Sequence, residues 1–190
     1  MASHVALLRG INLGGRNKVA MAELRKVVTS LGHTGVTTYI QSGNVLFTAA
    51  GLGNAELAAE LESAVVDAFG VVSPVVVLTR DELAQVLSDN PYRDEPDPRL
   101  VHVVFLNAEP TQDRLDKIAA AQSVAAAKGS RDSVRAIGRA LFLHTPDGFG
   151  RSELAQVLLR IAGGAGKTSV AATARNWATS TKLLSLCEEG

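Results

Sequence analysis

Twice along this chain the apolar residues pass from strand-like runs to helical spacing and back in the same order, and that double succession restricts the fold more than any single motif. The first pass opens with His4 to Arg9, a short β-prone run ending in glycines. Met21, Leu24, Val28 and Leu31 then recur at helical spacing up to Gly32, which is placed to stop a helix. Val36 to Gln41, a turn at Ser42-Gly43-Asn44, and Val45 to Thr48 form a hairpin pattern. Leu57, Leu61, Val65 and Phe69 mark a second helix, with Asn54 as its N-cap and Gly70 past its end. Pro74 to Thr79 supplies a fourth strand. The order βαββαβ is the split plan of a ferredoxin-like unit.

Thr79, with Glu82 three residues on, predicts a capping box opening a short helix to about Ser88. Between Asn90 and Pro98 stand three of the six prolines together with Asp94, Glu95 and Asp97, a linker composition. The expected division is therefore residues 1–90, a linker at 91–99, and a second half over 100–190. That half runs from a strand at Leu100–Leu106 to a helix through Leu115, Ile118 and the alanines up to Lys128. Strands at Ser133–Ile137 and Ala140–His144 follow, turning at Gly138-Arg139, then a helix through Leu154, Val157, Leu158 and Ile161. Trp177, Leu184 and Cys187 share a helical face, so a helix replaces the last strand, with the lone Trp as its core anchor. The fold class expected is α+β: two ferredoxin-like halves of βαββα type with antiparallel sheets and extra C-terminal helices.

Composition removes several alternatives. Of 190 residues, 46% are apolar, too many for a disordered chain, and no apolar run approaches the roughly 18 residues that span a bilayer. One cysteine leaves no room for a disulfide framework or a Cys-built zinc site. The first residues lack a basic n-region and a long h-region, so a reducing cytoplasm is the expected compartment and no membrane is implied. Net charge is zero, yet residues 1–50 carry five basic and one acidic side chain, 51–98 two and ten, and 99–190 twelve and eight. Neutrality is a cancellation of local fields, and Glu56, Glu60 and Glu62 are expected on the wet face of a helix.

The basic surplus at the N-terminus falls partly in Arg9-Gly10-Ile11-Asn12-Leu13-Gly14-Gly15-Arg16-Asn17-Lys18, a glycine-rich strand-to-helix loop. Such a loop can aim backbone N–H groups and a helix N-terminus at an anion, and it equally serves as a tight turn that needs positive φ. It fits neither GxGxxG nor GxxxxGK[ST]. In a ferredoxin-like sheet the first and second strands point the same way, so this loop and the Gln41–Asn44 hairpin meet at one sheet end. Arg9, Asn12, Gly14, Gly15, Gln41, Ser42 and Asn44 are thus the candidate ligand contacts. Gly163-Gly164-Ala165-Gly166-Lys167-Thr168 imitates a phosphate loop. It is rejected, because Ile161 stands where the pattern requires glycine and a helix precedes it. On a helix, Arg175, Thr179 and Lys182 share a face, and Arg175 near a helix start either takes a carboxylate or a bound anion as partner or snorkels to water. Arg175 and Lys182 join the candidates if the last helix folds back over that sheet edge.

No catalytic set is legible. His4, His33, His102 and His144 have no metal-ligand spacing, Cys187 sits in an apolar helical stripe, and neither GxSxG nor HExxH occurs. The residues imply no metal and no cofactor, and leave enzymatic activity undecided.

Arg-Gly-Ile-Asn-Leu-Gly-Gly at 9–15, Tyr-Ile-Gln-Ser-Gly-Asn-Val at 39–45, Gly-Arg-Ser at 150–152 and Ala-Arg-Asn-Trp-Ala-Thr-Ser-Thr-Lys-Leu at 174–183 together resemble a bacterial family known only as a domain of unknown function. The resemblance spans essentially the whole chain. It implies a two-part α+β fold with extra C-terminal helices and supplies no activity. Ala178 and Glu153 stand where that family usually has Asn and Lys, which weakens an anion site at the C-terminal end.

Three functions compete. The first is binding of a small anionic or phosphorylated ligand at the glycine loop and hairpin. The second is single-stranded nucleic acid binding on a sheet, with Tyr39, Phe47, Phe105 and Phe142 as the stacking aromatics; neutral charge and the lack of an RNP pattern weigh against it. The third is a non-catalytic scaffold associating through sheet edges.

Overall fold

The computed structural model describes residues 1–163 and 171–189. The chain divides into two compact units, Met1–Gln85 with Lys182–Gly190, and Val86–Thr181. In the first, β1 (His4–Leu8), α1 (Met21–Ser30), β2 (Thr34–Tyr39), β3 (Asn44–Thr48), α2 (Asn54–Phe69) and β4 (Val75–Thr79) appear in the expected order. The sheet order is β2-β3-β1-β4 and every neighbouring pair is antiparallel. Ala6, Leu8, Val45, Phe47, Val75 and Val77 present one sheet face to Leu24 and Val28 of α1 and to Leu57, Leu61 and Val65 of α2. Each fully buried leucine there contributes roughly 1.5–3 kcal/mol, which is what fixes the two helices on the sheet.

The helix ends follow local chemistry. Gly70 closes α2 in the left-handed conformation, its N–H donating to the Val66 carbonyl at 2.8 Å. Asn54 is not the cap. Gly53 precedes the helix and donates its N–H to Glu56 Oε2 at 2.8 Å, while the Asn54 amide donates to Glu82 Oε2 at 2.6 Å. The helical acids do more than face water: Glu60 meets His33 Nε2 at 3.0 Å, and Glu62 accepts the Val75 N–H at 2.8 Å.

The capping box forms as expected at the start of α3 (Arg80–Ser88). Thr79 Oγ1 accepts from the Glu82 N–H at 3.1 Å, and Glu82 Oε2 accepts from the Thr79 N–H at 2.8 Å. Because Glu82 also holds Asn54, Glu82→Ala should cost roughly 2 kcal/mol against about 1 kcal/mol for Thr79→Ala, the usual loss for one cap. Urea titrations of both variants check this, and equal losses would contradict it.

In the second unit β5 (Val101–Leu106), α4 (Gln112–Ala127), β6 (Ser133–Ile137) and β7 (Ala140–His144) also follow expectation. A 3-10 turn at Phe149–Arg151 then leads to α5 (Glu153–Gly163). The next element corrects the sequence reading. Ala172–Asn176 is a strand, β8, and α6 (Trp177–Glu189) starts only after it. The sheet runs β6-β7-β5-β8, again antiparallel, so this unit also completes βαββαβ. Alanine and arginine have little strand preference of their own, and β8 exists through its ladder with β5, from Leu106↔Ala172 to His102↔Asn176. Val104, Leu106, Leu141, Leu143 and Ala172 pack with Ile118, Ala125, Leu154 and Leu158 of α4 and α5.

Asn176 Oδ1 accepts the Thr179 N–H at 2.8 Å and caps α6. The helix buries Ser180, Leu183 and Cys187, whereas Trp177 and Leu184 are only half-buried, so the buried stripe is offset from the expected one. From Gly164 on, the Gly163–Thr168 stretch lies outside the described residues.

Candidate functional site

Leu7 of β1 and Tyr39 of β2 both pair with Asn44 of β3, which sets the end of β1 and the β2–β3 turn in one row. The glycine loop and the hairpin therefore do meet, as the topology requires. Gly43 is the point of closest approach. Its carbonyl accepts the Leu8 N–H at 2.8 Å, and its φ is +78°.

Asn12 fastens the loop. It lies at φ +53°, where Asn is among the few tolerated side chains. Its Nδ2 donates to the carbonyls of Val19 and Gln41, both at 2.9 Å, and its Oδ1 accepts the Val19 N–H at 2.9 Å. Asn17 repeats the device, its Nδ2 donating to the Gly10 carbonyl at 2.9 Å, and the Asn12 N–H donates to the Asn17 carbonyl at 3.0 Å. Inside this frame Leu13 and Arg16 form an antiparallel bridge around Gly14 and Gly15, at φ +56° and +79°. Positive φ at both central positions is the demand of a type I′ turn, which explains the glycine pair.

Of the residues expected here, the structure ties Asn12 to Gln41 and Ser42 to Asn44, and Arg9, Gly14 and Gly15 stand on the loop that Asn12 fastens. Their roles differ. Both Nδ2 hydrogens of Asn12 are engaged by the loop, and Asn44, fully buried, donates to the Tyr39 carbonyl and to Ser42 Oγ at 3.0 Å each. The side chains of Arg9, Arg16, Lys18 and Gln41 have no hydrogen-bond or ion-pair partner among the described residues; Arg9 is half-buried and the other three are exposed. Arg16 and Lys18 are additions to the set, signalled by the surplus of five basic residues over one acidic one in residues 1–50. That acid, Glu23, is engaged with Lys26 at 2.9 Å.

Arg175 needs a correction. It stands on β8 of the second unit rather than on a helix, buried, its Nη1 donating to Thr173 Oγ1 at 2.7 Å and to the Ala174 carbonyl at 2.8 Å. Burial lowers its pKa to about 10, which leaves it charged at neutral pH. Lys182 donates to Glu189 on its own helix at 3.2 Å.

Elsewhere the reactive side chains serve structure. Burial pushes the Cys187 thiol up to about 11, so it is protonated at neutral pH. His144 Nε2 lies 2.6 Å from Glu95 Oε2, and His102 stacks on Phe149 with ring centroids 3.9 Å apart. Among the described residues no group of three or more His, Cys, Asp or Glu is placed to hold a metal ion. Phe47, Phe105 and Phe142 are fully buried, so none offers a face for a stacking base. Among the described residues no helix is long and apolar enough to cross a membrane.

Comparison with known proteins fits this architecture. The family model described as a protein of unknown function (DUF1697) matches residues 1–142. Among solved structures, the conserved bacterial protein SP0830 from Streptococcus pneumoniae is similar, with a TM-score of 0.68 at 24% identity, over 98% of each chain. At that identity the likeness extends to the fold. No curated protein matches the chain.

Proposed function

Since the chain belongs to the DUF1697 family of unknown function, its activity must be read from its own residues, and we propose that it binds a small anionic or phosphorylated ligand in the cytoplasm, at the β1–α1 loop and the β2–β3 turn. One observation carries this reading. Arg9, Arg16 and Lys18 all belong to the β1–α1 loop and have no anionic partner among the described residues, over a frame that Asn12 and Gly43 hold fixed. Rigid loops that leave cations unpaired are suited to anions, because the ordering cost is met in folding rather than in binding. The start of α1 adds to the field, having no side-chain cap. The single buried thiol is compatible with a reducing compartment.

Calorimetric titration with inorganic phosphate and with small phosphorylated metabolites tests the site. Arg9→Ala should weaken binding at least tenfold, the loss of one charge-assisted contact, and added salt should weaken it further. A ligand held undiminished by Arg9→Ala and by Lys18→Ala overturns the reading.

A further inference from the structure

Two features of the same loops are costly for folding alone. Leu13 is 64% exposed and Ile40 is 51% exposed. Ile40 also sits at φ +50°, a region that β-branched residues almost never adopt and that Asn or Gly would occupy without strain. Single exposed apolar residues are ordinary on protein surfaces. These two, however, each adjoin one end of the hydrogen bond from Asn12 Nδ2 to the Gln41 carbonyl, so the two loops carry them at the same sheet end. Arg9, Arg16 and Lys18 belong to the loop that carries Leu13. A hydrated inorganic anion would gain nothing from an apolar rim, whereas an anion attached to a short hydrocarbon would lose water from both its parts here. Strain retained at an exposed position is the kind of feature found where a ligand is gripped.

Resting on the anion reading above, we propose that the ligand is amphiphilic: a phosphate monoester or kindred anion with an apolar group next to its charge. Arg9, Arg16 and Lys18 meet the anion, and Leu13 and Ile40 cover the apolar part.

The probes are inorganic phosphate and hexyl phosphate, titrated by calorimetry into wild-type protein, Leu13→Ser and Ile40→Asn. Hexyl phosphate should bind about tenfold more tightly than inorganic phosphate to wild type, a difference of about 1.4 kcal/mol. In each variant the advantage should fall to about threefold or less, with inorganic phosphate unchanged. Ile40→Asn should melt no lower than wild type, since it relieves strain, which guards against mistaking unfolding for lost contact. Equal affinities for the two probes in wild type would overturn the amphiphilic ligand while leaving the anion site standing. Binding of neither probe would overturn both. Sedimentation with phosphatidylglycerol vesicles, lost in both variants, would assign the rim to a bilayer surface and overturn the soluble ligand.

Discussion

Replacing Gly43 with alanine should destabilise the first unit by roughly 3 kcal/mol and lower the melting temperature by about 6–12 °C. Two independent penalties add. At φ +78° any side chain is strained, and a Cβ at this position would lie 2.8 Å from both Leu8 Cβ and Ile11 Cδ1. Leu8 Cβ cannot swing aside, since it is fixed to the backbone of a central strand, and Ile11 is buried. Gly14 separates the two penalties, because it also has positive φ, +56°, but nothing lies within 4 Å of its added Cβ. Gly14→Ala should therefore cost only about 1 kcal/mol, the strain alone. Thermal melts of the two variants beside wild type decide the matter, and equal losses would show that the Leu8–Ile11 approach contributes nothing.

Acid should expose a second large effect, at His102. Burial lowers its pKa from 6.5 to about 4, and its Nδ1 is buried with no partner among the described residues. A proton there would be a donor without an acceptor. In the unfolded chain the ring takes up a proton near pH 6.5, in the folded chain only near 4, so between these values the unfolded state binds more protons. The stabilisation from keeping the ring neutral is complete above pH 6.5 and drains away as pH falls toward 4. The full shift corresponds to about 3 kcal/mol, and the partial exposure of the ring reduces that to roughly 2 kcal/mol. His102→Phe keeps an aromatic against Phe149 and removes the titration. Urea-derived stabilities at pH 7, 5.5 and 4.5 should diverge between the two proteins by that amount, whereas parallel curves would show that His102 titrates normally.

Much of the architecture was legible because local signals and tertiary demands agree. Thr79 and Glu82 announce α3 by a pattern that the helix end itself satisfies, and Gly138-Arg139 marks the β6–β7 turn where it occurs. β8 was hidden, because Ala172 to Asn176 becomes a strand only by pairing with β5, some seventy residues earlier in the chain. That error also misplaced Arg175, whose surroundings belong to a sheet and not to a helix end. At the candidate site, the meeting of loop and hairpin followed from strand direction alone. The division of labour did not. Asn12 and Asn44 looked like ligand contacts, and their amides donate within the protein, Asn12 to two backbone carbonyls and Asn44 to one carbonyl and the Ser42 hydroxyl, a role set by left-handed φ at Asn12 and full burial at Asn44. Spacing along the chain carries neither fact.

The amide of Asn12 has a consequence in time as well as in space. Its bonds reach Val19, seven residues away, and Gln41, twenty-nine away. The second closes a longer stretch of chain, so the loop should reach its final shape only after the hairpin has docked beside β1. A molecule that recognises the finished loop has nothing to hold in the earlier ensemble. It will slow the unfolding of this unit and leave the rate of its folding nearly untouched.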